Sequence, residues 1–240
     1  MRIVRFSYKG QEGWGIYQQD KIKTLCRTID FKKVKLLAPA TPSKIVLVGL
    51  NYRDHARELR MPIPKEPIIF LKPATSIIGP DDKIIYPKGI KRLDYEGELA
   101  LVIKKQGRNI AESRAGEYIL GYTCLNDVTA RDIQKKDGQW TRAKSFDTFC
   151  PIGPWIETEL KADNLKIKTC LNDKVRQDSS TANFIFTIPR LVAFISRVMT
   201  LLPGDIISSG TPAGVGPMHP EDIIEVVIEG IGSLKNRVIP

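Results

Sequence analysis

Histidine is nearly absent from this chain of 240 residues; only two occur, His55 and His219. The four cysteines, Cys26, Cys124, Cys150 and Cys170, stand far apart and form no C-x-x-C pair. That excludes the usual ligand set of a structural zinc site and gives no disulfide framework. No apolar run approaches the roughly 18 residues that span a bilayer, and the first six residues lack the long apolar core of a secretion signal. The expectation is a cytoplasmic protein with reduced thiols and no membrane partner. No internal repeat is present.

What is there is ordinary in bulk and uneven in detail. Hydrophobic residues make up 42% and charged residues 27% of the chain, enough to build a full core without staples. The net charge is +10, and residues 1–44, with ten Lys/Arg against three acids, carry +7 of it. The remaining 196 residues are therefore close to balanced, at +3. A basic face of this kind keeps a protein soluble, steers anionic metabolites, or binds nucleic acid. No recognisable nucleic-acid module accompanies it, so nucleic acid is the competing reading rather than the leading one.

Short alternating stretches in the first 40 residues (Ile3-Val4-Arg5-Phe6 and Gly13 to Tyr17) predict two or three antiparallel strands. The Pro-rich run Ala38 to Ser43 then places a boundary near residue 42, giving a small β-rich N-terminal module (1–42) and a larger unit (43–240). Within the latter, strands are expected at 44–48, 67–71, 83–86, 93–103, 166–170, 183–187, 205–209 and 223–228. A short helix is expected from Tyr52 to Leu59. The longest helix is expected over 189–202, opened by Pro189, with Leu191, Val192, Phe194, Ile195, Val198, Met199 and Leu202 as its apolar stripe. Strands dominate without regular strand–helix alternation, so the fold class is mainly β with a few helices, of the α+β kind.

Three segments carry chemistry. In Leu93 to Ile103, read as one strand, Asp94, Glu96 and Glu98 share a face while Tyr95, Leu99 and Leu101 take the other. Carboxylates this close repel one another, and a bound cation relieves the repulsion; the alternative is a solvated strand end. With histidine so scarce, an all-oxygen site favours magnesium or manganese, with calcium also compatible, and not zinc. In Gly49 to Glu58, His55 and Glu58 are three apart. On a helix that spacing lets the carboxylate orient the imidazole as a general base, or makes a surface pair. In Gly121 to Gln134, Asp127 offers a metal ligand or a helix cap, while Arg131 and Gln134 follow at helical spacing, suited to a substrate carboxylate. Further on, Lys144 lies among aromatic and small residues, and Thr211 sits in a glycine-rich loop that lacks the Gly-Lys-Ser/Thr ending of a phosphate-binding loop.

Six ordered blocks resemble the fumarylacetoacetate hydrolase family, specifically its short members with one catalytic domain. They are GLNYRDHARE (49–58), PIIFLKPATS (67–76), LDYEGELALVI (93–103), GYTCLNDVTARDIQ (121–134), AKSFDTFCPIGPW (143–155) and LPGDIISSGTPAGVGP (202–217). The resemblance implies a rolled β-sheet, a homodimer, a divalent metal (Mg2+ or Mn2+, Ca2+ also possible) and no organic cofactor. By position it implies Glu96, Glu98 and Asp127 as metal ligands and His55 and Glu58 as a dyad on a lid helix. Lys144 becomes the cation beside the metal, with Arg131, Gln134 and Thr211 as substrate contacts. The implied reaction is on a small anionic 2-oxo (2-enol) carboxylic acid. It is either C–C bond hydrolysis, as in acylpyruvate hydrolases, or isomerisation, as in 2-hydroxyhepta-2,4-diene-1,7-dioate isomerases. Oxaloacetate decarboxylation or tautomerisation is the alternative on the same scaffold. After Gly216 the chain departs from the family, with only residues 217–222 before a strand expected to be its last, so the pocket rim differs and substrate specificity does not transfer.

Overall fold

A computed structural model describes residues 1–240. Its spine is a 12-stranded sheet. The path through it runs Thr28–Asp30, Lys21–Lys23, Gln11–Gln18, Arg2–Tyr8, Cys150–Glu157, Ile119–Asn126, Gly97–Ile103, Ile206–Ser208, Ile45–Gly49 and Ile68–Lys72, with two short strands paired alongside. The protein is mainly β, as its composition of alternating runs predicts. Five strands form before residue 38 rather than two or three. They join the main sheet where Arg2 and Ile3 pair with Glu157 and Ile156, so hydrogen bonding is continuous across the proline-rich segment.

Gly97–Ile103 lies at the centre and is buried along its whole length. Leu99, Leu101 and Ile103 enter the largest core cluster, while Ala100 and Val102 enter another on the opposite face, the period of two expected of a strand. Burying each such aliphatic side chain contributes about 1.5–3 kcal/mol. A five-stranded sheet (Lys174–Ser180, Lys166–Leu171, Ile223–Ile228, Gly232–Ile239, Lys83–Ile85) contributes Ile167, Val226, Ile228 and Leu234 to the same large cluster. A three-stranded sheet, Thr129–Ala130, Leu93–Tyr95 and Gly216–Met218, caps one end.

Four α-helices are present: α1 (Arg53–Glu58), α2 (Arg131–Asp137), α3 (Thr141–Lys144) and α4 (Ile188–Val198). Helix α4 has Pro189 in its first turn, as the sequence predicts, and Thr187 as its cap. It stops earlier than 202. Met199 is extended, and Leu201 forms a two-way backbone bridge with Gly107. Of the expected stripe, Leu191, Val192 and Ile195 are buried while Val198 is exposed.

Three other expectations are corrected. Residues 183–187 form no strand: Ile185 N–H donates to Asn51 O and Phe186 N–H to the Asn51 side chain, so these groups have no ladder to join. Residues 93–103 are not one strand but two, in different sheets, broken at Glu96. The strand Ile223–Ile228 is not the last, since Gly232–Ile239 follows and pairs with it.

Candidate metal and acid–base site

The break at Glu96 builds the site. Its backbone N–H donates to Asn126 Oδ1 at 3.0 Å, and Asp127 N–H donates to Glu96 O at 2.8 Å, so the end of Ile119–Asn126 is tied to the kink. Glu96 and Asp127 are thereby set side by side. Glu98 follows two residues on. Gly97 between them gives room for close packing, because a Cβ there would lie 2.1 Å from Thr169 Oγ1 in the sheet packed beneath. Carboxylate oxygens of Glu96, Glu98 and Asp127 all lie within 4.8 Å of one another, and all three residues are buried.

Their surroundings differ. Glu96 Oε1 accepts from Arg131 Nη2 at 2.5 Å and Oε2 from Lys144 Nζ at 2.9 Å. Burial pushes this carboxyl up, but Lys144 and Arg131 outweigh it and hold it well below the usual range. Glu98 Oε2 accepts from the Ser208 hydroxyl and, at 3.1 Å, from Gly210 N–H, while Oε1 has no hydrogen bond. Burial, then Asp127 and then Glu96, push the Glu98 carboxyl well above its ordinary value. Asp127 Oδ2 accepts from Lys144 Nζ at 2.5 Å, and Asp127 Oδ1 faces Lys72 Nζ at 2.8 Å. Lys144 is buried at the end of α3, 5.0 Å above the Phe70 ring. Desolvation lowers its affinity for a proton, but Asp127 and Glu96 reverse the effect and its pKa is raised.

Asp94 neither lines the cavity nor joins the group formed by Glu96, Glu98 and Asp127. It is fully buried and bonded to Arg92 at 2.8 and 3.0 Å and to Arg131 Nε at 2.9 Å, so it anchors Arg131. Asp127 caps no helix, for α2 begins four residues later behind Ala130. Gln134 Oε1 accepts from Arg131 Nη1 at 2.7 Å, leaving its amide N–H groups for a ligand. The Thr211 hydroxyl donates to Gly97 O at 2.9 Å and accepts from Gln177 Nε2 at 2.8 Å, so its single proton is spent on the protein.

Helix α1 closes one side. His55 Nδ1 lies 2.8 Å from Glu58 Oε2. An ionised carboxylate only accepts, so Nδ1 carries the proton and Nε2 is left as the basic nitrogen. Glu58 Oε1 accepts from Gly214 N–H at 3.0 Å, and Tyr95 O–H donates to Gly214 O at 2.9 Å. Gly214 has φ +99°, and a Cβ there would meet Arg176 O at 2.1 Å, so only glycine fits this tie. Asp54 holds the other end of the helix, accepting from the Ser179 hydroxyl and from His55 N–H.

All eight side chains named from the sequence other than Glu58 line one cavity of about 340 Å³, together with Leu59, Met61, Ile68, Phe70 and Trp140; Glu58 stands behind His55. The sequence reading passed over Lys72, Ser208 and Gln177. Lys72 carried a visible signal, a lysine directly ending the apolar run of the strand Ile68–Lys72.

Oxygen-only donors, a buried Asp127 Oδ1 that has a charge contact with Lys72 but no hydrogen bond, and mutual repulsion that raises Glu98 are the conditions a divalent cation satisfies. Fold and site together define a member of a family of hydrolases and isomerases acting on small acids. The chain belongs to the fumarylacetoacetate hydrolase family: the description "Fumarylacetoacetate (FAA) hydrolase C-terminal" matches residues 44–239, and "Rv2993c-like, N-terminal" matches residues 1–39. A 5-carboxymethyl-2-hydroxymuconate delta-isomerase from Mycobacterium smegmatis superposes with a TM-score of 0.95 at 45% identity, covering 100% of this chain and 98% of that one. A 2-hydroxyhepta-2,4-diene-1,7-dioate isomerase from Mycobacterium marinum gives 0.92 at 41% identity, covering 100% and 98%. The mitochondrial oxaloacetate tautomerase FAHD2A of Bos taurus is 40% identical over 250 residues, covering 99% of this chain and 79% of that protein. No helix is long and apolar enough to cross a membrane.

Proposed function

We propose that the protein is a divalent-metal-dependent enzyme that enolises a small 2-oxo acid, with magnesium or manganese held by Glu96, Glu98 and Asp127. The observation that carries this reading is the convergence of those three buried carboxylates with Lys144 and the His55–Glu58 dyad on one cavity. A bound metal supplies Lewis-acid polarisation of the 2-oxo group.

The protein's own residues account for the rest. Lys144, a buried cation, stabilises negative charge that develops on the substrate oxygen. Arg131, fixed by Asp94, and the free amide hydrogens of Gln134 orient the substrate carboxylate. His55 Nε2 takes a proton from the carbon next to the oxo group and returns it elsewhere, which is isomerisation or tautomerisation. The same nitrogen can deprotonate water for C–C bond hydrolysis; the Glu58–His55 pairing supports this second reading equally.

Two isomerases and a tautomerase, at 40–45% identity, support proton transfer, while two hydrolases that also superpose, at 35% and 31% identity, support the hydrolytic reading. The test is a panel of 2-oxo acids, including oxaloacetate and acylpyruvates, followed by loss of enol absorbance with and without magnesium or manganese. Metal-dependent turnover of at least one is expected. Full activity in excess chelator would refute the proposal.

A further inference from the structure

Lys72 is a fully buried lysine that the proposed chemistry does not use. Its ammonium donates to Val128 O at 2.9 Å and Phe149 O at 2.7 Å, and faces Asp127 Oδ1 at 2.8 Å as a charge contact. Its backbone is pinned as well, since it pairs with Ile45 in the main sheet. A lysine in this position is costly to desolvate, and no surface need explains it.

Each of the three carboxylates has one oxygen committed to the protein. Glu98 Oε2 is taken by Ser208 and Gly210, Glu96 Oε1 by Arg131 and Asp127 Oδ1 by Lys72. Of the other three, Glu98 Oε1 has no hydrogen bond, while Glu96 Oε2 and Asp127 Oδ2 share Lys144 Nζ; that ammonium is held by the two carboxylates alone, whereas Lys72 is also anchored on two backbone carbonyls. Asp127 has the shortest side chain and the one whose second oxygen is held by a charge contact alone, so Lys72 decides whether it offers one oxygen or two.

Resting on the metal-site reading above, we propose that Lys72 is a positioning residue that keeps Asp127 Oδ1 from the cation, so that only Oδ2 is offered to it, and thereby sets the cation preference of the site. Three one-oxygen carboxylates suit a small six-coordinate ion that keeps positions for substrate and water. Calcium favours six to eight ligands and two-oxygen carboxylates. The site therefore selects magnesium and manganese over calcium.

Calorimetric titration of the chelator-treated protein with magnesium, manganese and calcium chlorides tests this without any activity assay. In the wild type, magnesium is expected to bind at least as tightly as calcium. In Lys72→Met the preference shifts toward calcium by about tenfold, the low end of the effect of changing a group that orients a metal ligand. Lys72→Arg, which keeps the charge, retains the wild-type order. Calcium binding more tightly than magnesium to the wild type, or an unchanged ratio in a folded Lys72→Met, overturns the inference. If Lys72→Met does not fold, the wild-type order alone decides. Failure of all three cations to bind removes the metal reading itself, whereas calcium preference removes only the role of Lys72.

Discussion

Replacing Glu98 by glutamine separates stability from metal binding. The Glu98 carboxyl is buried, has Asp127 and Glu96 as neighbours and is pushed well above its ordinary range. A pair of like charges a little under 5 Å apart repels by about 3 kcal/mol at an effective dielectric constant near 20. Without metal, the raised proton affinity of Glu98 offsets that cost, and glutamine mimics the protonated acid. Its carbonyl oxygen can take over the Ser208 and Gly210 N–H donors that now reach Oε2. The metal-free variant should therefore match the metal-free wild type within about 1 kcal/mol, as isosteric replacement without an orphaned partner allows. The wild type should gain about 2.7 kcal/mol when metal is present at about one hundred times its Kd. For a chain of this size that is a rise in Tm of about 5–10 °C. Differential scanning calorimetry in chelator and in magnesium or manganese reads all four states. Glu98→Gln should lose most of the metal-induced rise. A variant with the full rise, or one whose metal-free form melts far below the wild type, would refute the reasoning.

Other outcomes follow from the same geometry. His55→Ala should lower kcat by about 10²–10⁴-fold while substrate binding, read by inhibition with a non-reacting 2-oxo acid analogue, changes little; unchanged kcat would remove the base assignment. Lys144→Met leaves Glu96 and Asp127 without their shared cation and should destabilise the metal-free protein by about 3–5 kcal/mol, with added metal restoring part of the loss in a denaturant titration. Asp205 is fully buried and accepts from Ser43, Lys44 and the Leu202 N–H. Burial pushes its carboxyl up, but the bonds from Lys44, Ser43 and Leu202 hold it below the ordinary aspartate value. Its stabilisation is thus complete above that value and lost as pH falls through the lower folded one. Asp205→Ala should cost about 3 kcal/mol at neutral pH and much less at strongly acid pH, as urea unfolding at both would show. Gly97→Ala should destabilise by about 1–3 kcal/mol through the clash with Thr169, and Thr169→Ala in the same chain should recover part of it.

Element by element, legibility followed how local the cause was. The strand Ile45–Gly49, helix α1 and the start of α4 were readable because an apolar run, a glycine and a first-turn proline act within a few residues. The end of α4 was not, because Gly107, distant in sequence, captures Leu201. The strand predicted at 183–187 failed for the same reason: Asn51 takes its hydrogen bonds. In the site, the alternation of Glu96 and Glu98 was visible, but the same alternation wrongly added Asp94. The kink at Glu96 assigns Asp94 to another sheet, where two arginines neutralise it.

By itself the sequence determined the donor chemistry of this protein. Scarce histidine and separated cysteines leave oxygen ligands, and acids set into an apolar strand call for a cation. Only the tertiary structure decided which donor each oxygen meets. That depends on Lys72, Ser208 and Arg131 reaching Asp127, Glu98 and Glu96 from strands and a helix distant in sequence. A carboxylate's charge is written in its residue type, whereas the direction of its unshared oxygen is set by whichever donors the fold brings against the other.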